Sequence, residues 1–175
     1  MCPRAAFMLD EQEFKQMYNE HADRVYNVCI NYLHNTEEAE EATQDVFVKA
    51  YNSFTSFQGQ AKVSTWLYRI AVNQCLDQLK ARKRKKRFAY LVSILPGEES
   101  RVGIRAVNFN HPGVQLEDKE GMEKIYRCIE SLPDRQQTAL ILKTLEHQSV
   151  KEIAEIMEMS PKAVESLLSR AKQNL

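Results

Sequence analysis

Apolar residues recur at helical spacing along most of the chain. Phe14, Met17, Tyr18, His21, Val25, Cys29 and Tyr32 mark one face of a first helix that ends near Leu33. Asp10, with Glu13 three residues on, forms the capping-box pattern expected at its start. Asn35 and Thr36 read as a turn and cap. The next helix then turns Ala39, Ala42, Val46, Phe47, Ala50 and Phe54 inward. Thr55 to Lys62 reads as a loop punctuated by Gly59. A third helix from Val63 places Val63, Trp66, Leu67, Ile70, Ala71, Leu76 and Leu79 on an inner stripe, with Ser64 as its expected cap. Thr65, Arg69, Asn73, Lys80 and Arg84 lie along its outer face. The periodicity then fails from Phe88 to about Glu117, a stretch containing Pro96-Gly97, Gly103 and Pro112-Gly113. A gap of that length without a helical pattern reads as an interdomain linker.

Helical spacing resumes near Asp118. Met122, Ile125, Ile129 and Leu132 form one stripe, and Pro133 is placed to open a helix through Ala139, Leu142 and Leu145. Ser149 and Glu152 form a second capping-box pattern, ahead of Val150, Ile153, Ala154 and Met157. Glu158-Met159 turns the chain. Ser160 caps and Pro161 opens a last helix with Val164, Leu167, Leu168, Ala171 and Leu175 inward. Two short helices across a tight turn form a helix-turn-helix pattern or an ordinary helical hairpin. The expected fold is all-α: a bundle over residues 10–87, a linker over 88–117 and a four-helix domain over 118–175.

Charge sharpens this picture. The formal net charge is zero, which taken alone argues against a polyanionic partner. Yet Asp10 to Ala50 holds ten acids against three bases, and Tyr51 to Arg87 holds nine bases against one acid. Such segregation points to two partners, or to one partner with two surfaces. The acids concentrate on the second helix, at Glu37, Glu38, Glu40, Glu41 and Asp45 with Gln44. Some of them complement the macrodipole of the helix start, and the excess fits a protein-docking face or a solvated one. The bases concentrate at Lys80 to Arg87, seven cations in eight positions. A cationic helix bearing amides, hydroxyls and an aromatic residue suits nucleic acid, since cations neutralise phosphate, rings stack on bases and amides read base edges. A solvated basic helix end is the alternative. Trp66 could stack on a base, but its place on the inner stripe makes it a core residue.

Cys2, Cys29, Cys75 and Cys128 are scattered, with no C-x-x-C spacing, which fits buried thiols in a reducing compartment. The four histidines are dispersed, and His21 reads as a core-edge residue. Neither a metal site nor a cofactor is expected. No apolar run reaches membrane-span length, so the expectation is a cytoplasmic protein without membrane insertion. No Gly-rich phosphate loop or paired nucleophile and base is present, so no catalytic residue is assigned.

Two blocks together resemble the small, extracytoplasmic-function type of bacterial RNA polymerase sigma factor. The first is residues 37–87, where Phe57-x-Gly59 precedes Thr65-Trp-Leu-Tyr-Arg-Ile-Ala71-x-Asn73. The second is Leu132-Pro-Asp-Arg-Gln-Gln-Thr-Ala-Leu-Ile-Leu-Lys143, followed by the helix-turn-helix that ends at Leu175. The blocks stand in the family's order, as its region two and region four. The resemblance implies that Glu41, Gln44 and Asp45 dock on core polymerase. It implies a surface for the melted minus-ten element at Lys62, Ser64, Thr65, Arg69, Asn73, Lys80 and Arg84, with Asn73 bonding a flipped base. Lys162, Glu165, Ser166, Ser169 and Arg170 would read the duplex minus-thirty-five element. Promoter DNA and core polymerase are then the partners, together with an anti-sigma protein of the kind that commonly restrains the family. One departure is Ala163-Val-Glu165, where the family often carries a basic residue early in the recognition helix. A free-standing helix-turn-helix regulator is the competing reading, disfavoured by the acidic face and the region-two string.

Overall fold

The computed structural model describes residues 11–54, 57, 59, 61–94 and 119–175. Within them the chain forms seven helices: α1 Glu11–Leu33, α2 Thr36–Ser53, α3 Val63–Ile94, α4 Lys119–Ser131, α5 Asp134–Thr144, α6 Val150–Met157 and α7 Pro161–Asn174. The all-α expectation holds.

α1, α2 and α3 each pack on the other two. Their shared core takes Cys29 from the expected stripe of α1, Ala39, Ala42 and Val46 from that of α2, and Leu67 and Ala71 from that of α3, and adds Val28, Leu33 and Cys75 from outside those stripes, all 1% exposed or less. The small residues let the three backbones approach closely, and the larger ones fill the gaps between them. α1 ends where His34 turns to φ 54. Asn35 then caps α2, its side chain accepting from the Glu38 amide at 3.0 Å. The proposed Asp10 cap lies outside the described residues.

α5, α6 and α7 pack mutually around Ile141, Leu142, Ile153 and Val164. α4 contributes buried Tyr126, Ile129 and Leu132, and Tyr126 sits face-tilted on His34 at 4.0 Å between centroids. The second group therefore rests on the first, with α6 against α3 and α5 against α1.

Three local expectations are corrected. Ser64 lies inside α3; Lys62 is at the cap, its carbonyl accepting from the Trp66 amide at 3.1 Å. Pro133 precedes α5 instead of opening it, and its carbonyl takes the amides of Gln136 and Gln137 at 2.8 and 3.0 Å. α3 does not stop near Arg87 but continues to Ile94, a length of 32 residues. The loss of amphipathic period does not end the helix, because no breaker occurs before Pro96. The rest of the expected linker, from residue 95, lies outside the described residues.

Candidate nucleic-acid interface

On α2, Glu41, Gln44 and Asp45 are all exposed, at spacings that share one face. Val48, 58% exposed, extends this face by a turn, and Tyr51 follows at 45%. The sequence signal for Val48 is an apolar residue off the buried stripe of α2. Asp45 is fixed from α3. The buried Gln74 donates from Nε2 to Asp45 Oδ2 at 2.7 Å, while its Oε1 accepts from Lys49 Nζ. Farther along, Arg82 pairs with Glu38. Part of the acid-base segregation in the sequence is therefore satisfied between neighbouring helices.

The loop before α3 is held by aromatic packing. Phe57 lies 4.8 Å from Trp66 between ring centroids, and Phe54 lies 6.0 Å from each. Trp66 is half-buried against the core, so its inner-stripe assignment stands. Gly59 adopts φ +67, a left-handed backbone where a side chain costs about 1–2 kcal/mol. Lys62, Asn73, Lys80 and Arg84 are exposed, and Ser64 and Arg69 half-buried. Thr65 is a correction: at 5% exposure it faces the interior and cannot meet a strand. The buried face of α3 is broad near its start, where Tyr68 and Val72 join Leu67 and Ala71, and Thr65 falls within it. Lys80, Lys83, Arg84, Lys86 and Arg87 line an open cationic groove toward the end of α3.

Three of the α3-side cations face the second helical group. Arg69 donates through Nε and Nη2 to the Glu155 carbonyl at 3.1 and 2.6 Å, and through Nη1 to Glu158 Oε1 at 2.8 Å. Lys80 lies 3.7 Å from Asp134. The Ser149 bonds hold the Glu152 carboxyl below its ordinary range, helped by the charge of Lys62. Glu158 reaches Arg69 from a left-handed conformation, φ 54, at the C-cap of α6. Glycine is the commonest residue at such a position, and a side chain there costs about 1–2 kcal/mol.

A second contact region lies on the α1 side. Glu146, between α5 and α6, accepts from Asn31 Nδ2 at 2.7 Å and from the Tyr68 hydroxyl at 3.4 Å. Gln148 Nε2 reaches the same hydroxyl at 3.3 Å. Burial pushes the Glu146 carboxyl above its ordinary range, against the Asn31 and Tyr68 bonds. Burial and the Glu146 charge push the Tyr68 hydroxyl up to about 12.

The helix-turn-helix is built as expected. Ser149 and Glu152 complete their capping box, with the Ser149 amide donating to Glu152 at 2.9 Å. Ser160 caps α7 and Pro161 opens it. Val164, Leu167 and Ala171 are buried, whereas Leu175 is exposed, beyond the last packed turn. Lys162, Glu165, Ser166, Ser169 and Arg170 are all exposed on α7. Arg170 folds back to donate to the Ser166 hydroxyl at 2.9 Å, so those two act as a unit. Among the described residues no helix is long and apolar enough to cross a membrane.

Residues 17–85 match the sigma-70 region 2 family, and residues 122–175 match sigma-70 region 4. The chain is 32% identical over 170 residues to the ECF RNA polymerase sigma factor SigW of Bacillus subtilis, covering 95% of this chain and 88% of that protein. It is 29% identical over 164 residues to the ECF RNA polymerase sigma-E factor of Escherichia coli, covering 94% and 85%. Among solved structures, the fold resembles RpoE in complex with the anti-sigma factor NepR from Bartonella quintana, at 22% identity and TM-score 0.63 over 93% of this chain and 94% of that one. CnrH in complex with the cytosolic domain of CnrY matches at 17% identity and TM-score 0.63, covering 94% and 86%.

Proposed function

The chain belongs to the extracytoplasmic-function family of RNA polymerase sigma factors, and from that membership we propose which surfaces perform each step of initiation. It is a transcription initiation factor: it binds core RNA polymerase, recognises the minus-ten and minus-thirty-five promoter elements and promotes DNA melting.

In our reading, residues 10–87 act as the polymerase and minus-ten module, residues 118–175 as the minus-thirty-five module, and residues 88–117 as the connection. Glu41, Gln44 and Asp45 dock on polymerase, with Val48 supplying apolar contact at the same face. Lys62, Ser64, Arg69, Asn73, Lys80 and Arg84 receive the melted strand. Lys162, Glu165, Ser166, Ser169 and Arg170 enter the major groove. The protein carries no chemistry of its own; its cations and amides shift the balance between paired and unpaired promoter. An anti-sigma protein restrains it in the cell interior.

The observation that carries this division is the one-sided exposure of α2 and α7. Each buries its apolar stripe and leaves a polar face free, acidic on α2 and mixed on α7. An acidic face is repelled by DNA and suits a protein partner, whereas a mixed face with cations suits a duplex. Run-off transcription with core polymerase on a randomised promoter library tests the proposal. Selected templates should share two separated elements. Gln44→Ala with Asp45→Ala should reduce output from all templates alike, whereas α7 variants should change which templates are selected. Loss of template preference in the α2 variant would overturn the assignment.

A further inference from the structure

On α7 one charged side chain is held by its own helix. Arg170 donates through Nη2 to the Ser166 hydroxyl oxygen at 2.9 Å and through Nε to the Ser166 carbonyl at 3.3 Å. Those two donors form one edge of the planar guanidinium. The neighbouring edge, made by Nη1 and the second Nη2 hydrogen, carries two parallel N–H groups and is left open. Among the described residues no carboxylate pairs with Arg170, whereas Arg69 is paired with Glu158 and Arg82 with Glu38. The charge of Arg170 is therefore kept for an outside partner and presented as an oriented fork.

Where the fork sits decides what it meets. Val164, Leu167 and Ala171 form the buried stripe of α7. At about 3.6 residues per turn, Ser166 lies close to the line opposite that stripe, and the Arg170 backbone lies farther round, on the flank. An extended Arg170 would reach sideways, toward a phosphate. Side chains on a helix lean toward its N-terminus, and Arg170 follows that lean back onto Ser166, four residues earlier. The guanidinium is thereby carried one turn toward the start of the helix, and from the flank to the middle of the exposed face. In a docked helix-turn-helix, the N-terminal part of the second helix meets base edges in the major groove.

Guanine presents N7 and O6 side by side in that groove, two acceptors that match two parallel N–H donors. Adenine sets a donor beside its acceptor, cytosine offers a donor, and thymine offers a single acceptor beside a methyl group. We infer that Arg170 is a specificity-determining residue that selects a guanine in the duplex upstream element, and that Ser166 is the positioning residue that holds its fork toward the base. This rests on the assignment of α7 to the minus-thirty-five element. Ser166 acts through Arg170: it orders a long side chain before docking, so less rotamer freedom is lost when the base is met.

Run-off transcription by core polymerase with the full chain, on a library randomised in the upstream element and read by sequencing, tests this. The unaltered chain should prefer guanine at one upstream position, on either strand, by about 5- to 150-fold over the other bases. Arg170→Ala should erase that preference. Arg170→Lys keeps the charge without the planar fork and should erase most of it. Ser166→Ala changes no charge and should weaken the preference at the same position by about 2- to 10-fold, the cost of ordering one long side chain on binding. Adding Ser166→Ala to Arg170→Ala should cause no further loss there. Both side chains are exposed, so none of these variants disturbs the packed core. A selected element in which no guanine depends on Arg170, or in which Arg170→Lys keeps the full preference, makes Arg170 a phosphate contact or a bystander. Either result overturns the inference while the α7 assignment stands. Loss in Arg170→Ala with none in Ser166→Ala overturns the positioning role. A library with no selected upstream position overturns the α7 assignment and the inference together.

Discussion

Gln74→Leu isolates a question about polymerase docking: does Asp45 act simply by being there, or because it is held? Gln74 is 7% exposed and bonds two charged partners, Lys49 and Asp45, both of which are exposed. A hydrogen bond to a charged group nets about 1.5–3 kcal/mol when desolvated, but solvent can replace Gln74 at both partners. Leucine also fills much the same volume with apolar surface. The stability change should therefore stay within about 1 kcal/mol, measured by urea unfolding. Binding is different. Releasing Asp45 returns rotamer freedom that docking must remove again, at about 0.5–1.5 kcal/mol for one side chain. That range corresponds to a roughly 2- to 10-fold weaker complex with core polymerase, read by anisotropy of labelled protein. Gln74→Glu should bind worse still, since it keeps an acceptor for Lys49 and sets a like charge beside Asp45. The test of mechanism is the cycle with Asp45→Ala. If Gln74 acts through Asp45, the double variant is no worse than Asp45→Ala alone. Additive losses, or unchanged affinity in Gln74→Leu while Asp45→Ala binds weakly, would refute the positioning role.

Asn73→Ala should slow promoter opening more than it weakens the closed complex, by about 1–3 kcal/mol for one base-edge contact; permanganate reactivity of unpaired thymines reports it. Glu165→Ala should relax preference at one upstream base pair while leaving non-specific affinity equal or higher, because a carboxylate near phosphates is favourable only if it accepts from a base such as cytosine. A promoter-library comparison decides this, and an unchanged consensus returns Glu165 to the plain surface. Glu146, whose carboxyl is raised by burial between the two helical groups, should make their contact firmest below the ordinary range near 4.5 and weaker as pH rises through the raised value. Glu146→Gln should flatten that dependence in small-angle scattering; an identical slope in the variant assigns it to other groups. Leu67→Ala, at a position 1% exposed in the three-helix core, should cost about 2–5 kcal/mol in urea unfolding, and a loss well under 1 kcal/mol would mean the core re-forms around it.

What could be read from the sequence follows from how local each cause is. Cap and turn chemistry acts over four residues, so Asn35, Ser149 with Glu152, and Ser160 with Pro161 were all recoverable from spacing. The core stripes were recoverable because helical period and burial are one signal on α1, α2 and α7. α3 was harder. It is buried on a broad face near its start, where Tyr68 and Val72 join Leu67 and Ala71, so the spacing of Thr65 with Arg69 and Asn73 does not keep it out of the interior. Beyond Arg87 it meets no breaker before Pro96 but shows no amphipathic stripe, so periodicity alone cannot mark its last turns as helix. Gln74 was invisible for another reason: a glutamine on a polar-apolar boundary is unremarkable until Asp45 and Lys49 are brought beside it from the preceding helix.

Arg69 shows where sequence reading stops and why. Its position, eight residues before Asp77 and on the cationic half of the chain, marks it as suited to bind an anion. Nothing within a helical turn of it supplies a partner. The groups that do, the Glu155 carbonyl and the Glu158 carboxylate, lie 86 and 89 residues away. A zero net charge built from two segregated halves is therefore not merely compatible with a nucleic-acid-binding protein. It gives the basic face an acidic counterpart within the same chain. Because Arg69 is 30% exposed and Glu158 72% exposed, each such ion pair is worth little in water. Such a pair can yield wherever a partner offers Arg69 a better-placed anion.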